Sequence, residues 1–370
     1  NGPSAEGPWL AFVDVTFGEG ESETYALPLR LASAAEKPES ALLRIDTEGA
    51  ESRFLCDASR SPDVASLLHR LAFSEQHLSG RLHTLRGHRN GELALPLAEP
   101  VKPLGVEQSN TSFVFGQQLV GKLVRRVEPG GNLEVEVLQA LALANRRPNV
   151  PTLEARIDIE ARDGTSTLWL SESFVPNEGD AWQLTIDHAQ RFYEAALSGR
   201  YGVAPATHPL WVDAAAGFEL DYAPLARLLG RRTAELHTAL FESSRGDRTP
   251  KTFTALSSRA FYQSVRNLSA KAFDALKTAT LPEPAQRLAR EVLARRSELR
   301  QVLDQALSPP LSDQRMRVHG DYHLGQVLYT GSDFYIIDVE GEPARTPRER
   351  RRLRSPFADV AGMLRSFHYA

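Results

Sequence analysis

The chain has 370 residues, of which 42% are hydrophobic and 24% charged, and a formal net charge of −4. This length exceeds a single ordinary core and predicts two or three domains. The composition is that of an ordinary globular protein, and the weakly negative charge excludes a global basic field of the kind that binds nucleic acid.

The cysteine content and hydropathy indicate the setting. Cys56 is the only cysteine, which excludes an internal disulfide and favours a reducing, cytoplasmic compartment. No apolar run reaches the roughly 18–20 residues that a membrane span needs, so no membrane partner is expected. The chain starts at Asn1 without a Met or a signal peptide and ends within a predicted helix. We therefore expect a segment of a longer polypeptide.

Residues 1–100 are predicted to form a β-rich cap domain. PWLAFVDVTFGEGESETYALPLRLA predicts two strands around the turn Gly18–Glu21, and GELALPLAEP predicts a further short strand. Between them, SPDVASLLHRLAFSEQHL has apolar residues at helical spacing and predicts a helix. No cluster of residues in this region suggests chemistry.

Residues 101–176 are predicted to form a small β–helix–β lobe. TSFVFGQQLVGKLVRRV predicts two strands joined by a tight turn at Gly116–Gln117, and EPGGNLEVEVLQALALANRR predicts a helix that begins after Pro-Gly-Gly. Two further strands are predicted at PTLEARIDIEA and STLWLSESFV.

Lys122 stands out on the second predicted strand of this lobe. Val120 and Val124 share its face by the two-residue period of a strand. A lysine in a strand otherwise suited to burial needs a partner or a ligand. Glu134 and Glu136, both on the following helix, are the two alternatives, because the phase of the helix is uncertain by about one residue.

Residues 177–370 are predicted to form a mostly helical lobe. Helical periods occur in DAWQLTIDHAQRFYEAALSG, in APLARLLGRRTAELHTALF and in the long run PEPAQRLAREVLARRSELRQVLDQAL. A short β-rich patch follows at 316–338, and a final helix is predicted near 355–370. The arginine-rich run 348–354 is interpreted as a solvated surface segment. The two lobes give a bilobal α+β arrangement with a ligand cleft between them.

The polar residues of HGDYHLGQ (319–326) and IIDVEGEP (336–343) carry the chemistry. Asp321 lies in a predicted loop, Gln326 follows five residues later, and Asp338 ends a predicted strand. In a phosphoryl-transfer site, one carboxylate orients the attacking hydroxyl and accepts its proton, while an amide oxygen and a second carboxylate hold Mg²⁺. The polar stretch VEQSNTS (106–112) is predicted to close over phosphates with its backbone N–H and hydroxyl donors.

These motifs resemble the catalytic loop and metal-binding segment of aminoglycoside-phosphotransferase-like kinases. More narrowly, PLGVEQSNTSFVFGQQLVGKLVRRVEPGGNLEVEV, SFVPNEGDAW and DVEGEPARTPRERRRLRSPFADVAGMLRSF resemble bacterial maltokinase over about the whole chain. The resemblance implies a protein-kinase-like fold with an N-terminal cap, ATP and Mg²⁺ as cofactors, and transfer of the γ-phosphoryl group to the C1 hydroxyl of maltose for α-glucan synthesis. It also implies a possible fusion to, or partnership with, trehalose synthase.

The resemblance also implies residue roles in catalysis and metal binding. Asp321 is the expected base that orients the sugar hydroxyl. Gln326 and Asp338 are the expected Mg²⁺ ligands, and Glu340 supports them. His319 braces the catalytic loop, and His323 is expected to brace it on the side of the substrate. Tyr322 stands where the family motif often has leucine.

The implied nucleotide site lies in the small lobe. Lys122 is expected to bind the α- and β-phosphates with Glu134 as its partner, and Val120 is expected beside the nucleotide. The residues expected over the phosphates are Ser109, Asn110, Thr111 and Ser112, and those of the hinge against adenine are Glu172, Phe174 and Val175. Two alternatives remain: a kinase of another small alcohol of the aminoglycoside or choline type, and a non-catalytic nucleotide-binding domain.

Overall fold

The structure is a computed structural model. It describes residues 7–18, 22–33, 36, 40–46, 51–91, 100–106, 110–161, 164–198, 222–244, 246, 249–307 and 314–370. The strands are β1 (Trp9–Thr16), β2 (Ser22–Ser33), β3 (Ala41–Ile45), β4 (Arg53–Asp57), β5 (His77–Ser79), β6 (Thr84–Arg89), β7 (Val101–Val106), β8 (Asn110–Phe115), β9 (Leu119–Val124), β10 (Arg126–Val127), β11 (Leu153–Ala161), β12 (Gly164–Ser173), β13 (Lys251–Thr252), β14 (Gln314–Arg315), β15 (Val327–Tyr329) and β16 (Phe334–Ile336).

The α-helices of the described residues lie mainly in the second half of the chain. They are α1 (Pro62–Ser74), α2 (Leu133–Ala142), α3 (Ala181–Leu197), α4 (Ala223–Ser243), α5 (Ala255–Thr278), α6 (Glu283–Ala294), α7 (Arg296–Leu307), α8 (Pro347–Arg350) and α9 (Phe357–Tyr369). Among the described residues, no helix is both long enough and apolar enough to cross a membrane.

A five-stranded sheet contains the predicted N-terminal hairpin. Its order is β1-β2-β4-β3, with β10 paired to β2. The hairpin β1–β2 is antiparallel and runs in register from Trp9 opposite Leu29 to Thr16 opposite Ser22, as the alternating sequence predicts. The strand predicted at 91–100 falls largely on residues 92–99, which lie outside the described residues.

A seven-stranded sheet has the order β5-β6-β11-β12-β9-β8-β7. It combines strands of the predicted cap with strands of the predicted small lobe. The predicted hairpin β8–β9 is confirmed, with Ser112 opposite Lys122 and a turn at 116–118. The fully buried Trp169 packs over Gly121, where a Cβ atom would lie 2.2 Å from its ring. Only glycine therefore fits beside Lys122 on this strand. This sheet contains strands from both sides of the predicted domain boundary at residue 100. The boundary itself stays a prediction.

The start of helix α2 is set by a capping residue and two preceding glycines. Asn132 is the N-cap, and its side chain accepts a hydrogen bond of 3.1 Å from Val135 N. Gly130 and Gly131 precede it with φ of +96° and +82°, a region that favours glycine. This start fixes which residues of the first turn face inward.

The predicted run 282–307 forms two helices rather than one. α6 ends at Ala294, and α7 begins at Arg296 after Arg295, whose φ and ψ are −92° and 12°. An apolar face can continue across a one-residue interruption. The periodic pattern of the sequence therefore did not indicate the break at Arg295. The helix α5, which the motifs did not single out, begins with a capping box of Thr254 and Ser257.

The chain divides into two compact units. The first comprises residues 1–243, 319–352 and 358–370, and contains both larger sheets together with α1–α4. The second comprises residues 244–318 and 353–357, and contains α5–α7 and the small sheet β13–β14. The mixture of sheet and helix confirms the α+β class.

Candidate active site

Lys122 lies at the centre of a buried cluster of charged side chains. Its Nζ donates hydrogen bonds of 2.7 Å to Glu134 Oε1 and 2.6 Å to Asp338 Oδ1. Glu172 Oε2 lies 3.4 Å from the same ammonium. Residues from β9, α2, β12 and the segment after β16 therefore meet at one point. Of the two alternatives on α2, Glu134 and not Glu136 holds Lys122.

The carboxylates keep the buried lysine charged. Burial alone would lower the pKa of Lys122, but Asp338, Glu134 and Glu172 outweigh burial and raise its pKa well above the ordinary value. Burial would also raise the pKa of Asp338, yet the adjacent Lys122 ammonium holds that pKa below its usual range. The cluster therefore places one cation among several carboxylates. The charge of Lys122 offsets the repulsion between these carboxylates.

Glu172 occupies a place that the sequence analysis did not anticipate. It was expected in a hinge against adenine, whereas its side chain is 4% exposed and faces the Lys122 ammonium. Burial, followed by the neighbouring charge of Glu134, raises the pKa of Glu172 well above the ordinary value. Among the described residues its Oε1 has no hydrogen-bond partner. The expected contact with adenine stays a prediction.

The other residues of the expected nucleotide site occupy different places relative to the Lys122 cluster. Asn110, Thr111 and Ser112 are buried residues of β8 rather than loop residues, and Ser109 lies outside the described residues. Val120 pairs with Glu172 across β9 and β12. Phe174 N donates to Gln118 O at 2.8 Å, and Phe174 and Val175 line a cavity of about 1330 Å³ whose lining does not include Lys122.

The loop around Asp321 is braced by buried histidine and aspartate. His319 Nε2 lies 2.9 Å from Ile337 O, and its Nδ1 accepts a hydrogen bond of 3.3 Å from Asp321 N. A carbonyl can only accept, so Nε2 carries the proton. Burial lowers the pKa of His319, which favours the neutral ring. His319 therefore ties the Asp321 loop to the residue before Asp338.

Asp359 on α9 holds the same loop from the other side, and the sequence analysis missed it. Its Oδ2 accepts from His319 N at 2.8 Å, and its Oδ1 accepts from Gly320 N at 2.9 Å. His237 Nε2 on α4 lies 2.8 Å from Oδ2. Burial opposes its ionisation, but these hydrogen bonds lower the pKa of Asp359. The only sequence signal was an acidic residue on the apolar face of the last predicted helix.

Tyr322 and His323 each have a hydrogen-bond partner in the fold. The Tyr322 ring is buried, and its hydroxyl lies 2.8 Å from Thr233 Oγ1 on α4, so tyrosine in place of leucine gains a buried polar partner. His323 Nδ1 accepts from Gly325 N at 3.1 Å and caps the short turn Leu324–Gln326. Its expected position beside a substrate stays a prediction.

Gln326 and Asp338 are brought together by their backbones. Ile337 N donates to Gln326 O at 3.0 Å, so the amide side chain and the carboxylate belong to adjacent positions of two antiparallel segments. Asp338 has a φ of +55°, uncommon for a residue with a side chain, and its side chain is 30% exposed. It is therefore both held in a strained conformation and open to a ligand.

The donor set fits magnesium only if part of the coordination comes from elsewhere. Among the described residues, no group of three or more His, Cys, Asp or Glu side chains could hold a metal ion. Mg²⁺ usually takes one or two carboxylates together with waters and substrate phosphates. The oxygen donors of Gln326 and Asp338 match that mode. Glu340, whose pKa burial and the nearby Glu134 raise to about 8, lies two residues further on.

The chain is similar to curated proteins that include two glucosamine kinases. No protein-family model matches the chain. A glucosamine kinase of Streptacidiphilus jiangxiensis is 26% identical over 267 residues, which are 71% of this chain and 53% of the relative. A glucosamine kinase of Mycolicibacterium smegmatis is 26% identical over 272 residues, 72% of this chain and 58% of the relative. The chain thus spans little more than half the length of these relatives.

Solved structures show the fold. A glucosamine kinase in complex with glucosamine, ADP and inorganic phosphate has a TM-score of 0.56 at 19% identity, over 98% of this chain and 74% of that one. A second crystal form of glucosamine kinase has a TM-score of 0.58 at 19% identity, over 98% of this chain and 75% of that one. The chain has the fold of a glucosamine kinase. The expectation of a kinase-like α+β fold is confirmed.

Proposed function

We propose that the chain carries the catalytic site of an ATP-dependent sugar kinase. The observation that carries the proposal is the contact of Lys122 Nζ with both Glu134 and Asp338. A lysine on a strand, a glutamate on the next helix and an aspartate beyond the catalytic loop form the phosphate- and metal-binding parts of a kinase site. The similarity to glucosamine kinases over 71% of the chain supports this proposal.

Each group has a role in the proposed transfer. Lys122 binds the phosphates of the nucleotide, and Glu134 orients Lys122. Asp338 and Gln326 would hold Mg²⁺, which neutralises phosphate charge when it is bound. Asp321 orients the acceptor hydroxyl and takes its proton. The acceptor oxygen bonds to the γ-phosphorus, and the bond from that phosphorus to the β–γ bridging oxygen breaks to release ADP. Positioning and electrostatics supply most of the rate in such a transfer.

Maltose is the proposed acceptor, with transfer to its C1 hydroxyl. The support is the resemblance of VEQSNTSFVFG, SFVPNEGDAW and DVEGEPARTPRERRR to bacterial maltokinase. Glucosamine is the second candidate, because both curated relatives are glucosamine kinases. The two differ in charge at neutral pH, since an amino sugar is largely a cation and maltose is neutral. A cationic acceptor favours an acidic pocket, so acceptor charge separates the candidates.

The test is ADP release by the complete polypeptide with ATP and Mg²⁺. The acceptors are maltose, glucose, trehalose, glucosamine and kanamycin, and the control is Asp321→Asn, which removes the base and keeps the shape of the side chain. We expect turnover with maltose that falls by several orders of magnitude in Asp321→Asn, while ATP binding persists.

The other outcomes have distinct meanings. Turnover with glucosamine instead of maltose keeps the mechanism and replaces the acceptor. Turnover only with kanamycin moves the chain to another class of small-alcohol kinase. ATP binding without turnover on any acceptor supports a non-catalytic nucleotide-binding domain, and near-normal turnover in Asp321→Asn refutes the assignment of the base.

A further inference from the structure

Two adjacent arginines in the run 348–354 are partly buried and bind other segments of the chain. Only 8% of the Arg350 side chain and 26% of the Arg351 side chain are exposed, whereas Arg348 and Arg352 are exposed residues. The interpretation of the whole run as a solvated segment is therefore wrong for these two positions. The short helix α8 and its C-cap residue direct two guanidinium groups inward and leave their neighbours in water.

Arg351 binds the segment that leads into α2. Its Nη2 donates to Gly131 O at 2.7 Å, to Gly130 O at 3.2 Å and to Glu136 Oε1 at 3.0 Å. The two glycine carbonyls belong to the turn before the N-cap of α2, and Glu136 belongs to its first turn. One guanidinium thus fixes the start of the helix that carries Glu134.

Arg350 binds the segment that follows Asp338. Its Nη2 donates to Glu128 Oε2 at 2.7 Å, and its Nη1 lies 3.6 Å from Glu340 Oε2. The same Nη1 donates a long hydrogen bond of 3.5 Å to Glu340 O. Its aliphatic carbons also lie 3.5 Å from where a Cβ atom of Gly341 would be. This arginine therefore joins the segment 338–341 to the strand end at Glu128.

The contacts of the two arginines flank the Lys122 cluster. Glu134 and Asp338, the two carboxylates hydrogen-bonded to Lys122, lie on the two segments that Arg351 and Arg350 hold. Because Arg350 ends α8 and Arg351 is its C-cap, the two arginines are consecutive, and a shift of α2 against the segment 338–341 would break charged hydrogen bonds. Such bonds contribute more than neutral ones.

We propose that Arg350 and Arg351 are positioning residues for the phosphoryl transfer, and this inference rests on the proposed function. They hold Glu134 and Asp338 at the spacing at which both reach Lys122. Neither guanidinium acts on substrate directly. Loss of Arg351 releases the start of α2 and misaligns Glu134, and loss of Arg350 releases the segment of Asp338. Both losses weaken the binding of Mg·nucleotide.

The test compares Arg351→Ala, Arg351→Lys and Arg350→Ala with the exposed neighbour Arg348→Ala as the matched control. The measurements are the Kd for Mg·ADP by calorimetry, the KM for ATP, and amide hydrogen exchange across residues 131–142. We expect Arg351→Ala to raise the Kd and the KM about tenfold and to accelerate exchange in α2. Arg351→Lys should fall between, because an ammonium cannot reproduce the planar fork of the guanidinium.

A purely structural role gives a different result. If Arg351→Ala and Arg350→Ala lower the melting temperature but leave the Kd for Mg·ADP and the KM for ATP at the values of Arg348→Ala, the proposal is overturned. Arg351→Lys keeps the charge and provides the same comparison if the alanine variant folds poorly.

The failure of the proposed function would be visible separately. Wild-type protein that transfers phosphate to no acceptor refutes the kinase assignment, whatever the variants do. In that case the Kd for Mg·ADP and the exchange of α2 still decide whether the two arginines position the Lys122 cluster. Equal exchange and equal Kd in all four variants overturn the positioning role itself.

Discussion

Lys122 and Asp338 are joined by a hydrogen bond of 2.6 Å although 216 positions separate them in the chain. The bond links a strand of the seven-stranded sheet to the segment after β16. It gives Asp338 a cationic partner within the protein. Asp338 is also the proposed metal ligand, so its carboxylate serves both the lysine and the metal in the proposed site.

Removing the Asp338 carboxylate should abolish the metal dependence of nucleotide binding. In Asp338→Ala we expect the Kd for ADP measured with Mg²⁺ to rise at least about tenfold toward the metal-free value of the wild type. Isothermal titration with and without Mg²⁺ measures this, with the exposed Asp187→Ala as the control. A Mg²⁺ dependence equal to that of the wild type would show that Asp338 does not hold the metal.

Replacing Lys122 by methionine should destabilise the fold as well as stop turnover. The change leaves Glu134 buried beside an apolar side chain and removes the cationic partner of Asp338. Removal of one partner from a buried ion pair costs about 3–5 kcal/mol. The cost should shrink as the pH falls, because Lys122 lowers the pKa of Asp338 in the wild type and the stability that this gives is lost with falling pH. Urea unfolding at neutral and at acidic pH measures the difference.

The control for this prediction is Lys251→Met, which removes an exposed lysine in β13. It should leave the unfolding free energy nearly unchanged at both pH values, since isolated surface charges contribute little. A Lys122→Met variant whose loss of stability does not depend on pH would contradict the account of the cluster.

Much of the arrangement around Lys122 could be predicted from local patterns. The alternation of TSFVFGQQLVGKLV predicts the hairpin β8–β9, and it places Lys122 on a strand face that is otherwise apolar. The choice between Glu134 and Glu136 could not be made, because it depends on where α2 begins. The Asn132 cap fixes that start, which turns Glu134 toward Lys122 and Glu136 toward Arg351.

Other features depend on pairing that no local pattern contains. The position of Glu172 follows from its register opposite Val120, which puts it diagonally beside Lys122 on the same face. Arg351 finds its partners about 220 positions earlier, at Gly131. A charged run on a short helix predicts a solvated surface unless such a distant acceptor is known.

Replacing Asp359 by asparagine should loosen the Asp321 loop. Asp359 accepts from the backbone of His319 and Gly320 and lies beside His237. In Asp359→Asn one oxygen becomes an NH₂ group that faces these N–H donors, which should cost about 1–3 kcal/mol of unfolding free energy. We expect turnover to fall more than ATP affinity, because the loop carries Asp321, the proposed base. Chemical unfolding and steady-state kinetics measure the two effects.

Asp187→Asn is the matched control for this change, since Asp187 is exposed on α3. It should match the wild type in stability and turnover. Asp359→Asn with wild-type turnover would show that the Asp321 loop holds its position without the buried carboxylate.

His69 on α1 should make the protein acid-sensitive. It is 4% exposed, packs between the rings of Phe73 and Phe115, and has no hydrogen-bond partner for either ring nitrogen among the described residues. Burial, with the nearby charge of Arg70, lowers its pKa to about 4 from an ordinary value of 6.5. The folded state therefore binds its proton less readily than the unfolded state.

The sign of the effect follows from that difference. The unfolding free energy is unaffected by His69 above pH 6.5, where the ring is neutral in both states. It falls by up to about 3 kcal/mol as the pH falls toward about 4, because the unfolded state takes up the proton first. His69→Leu removes the titrating group and should be more stable than the wild type. The difference in unfolding free energy should grow as the pH falls from 6.5 to 4. Unfolding by urea at several pH values measures it against His77→Leu, which replaces an exposed histidine. A constant difference between His69→Leu and the wild type from pH 6.5 to 4 would mean that protonation of His69 does not control the acid sensitivity of the fold.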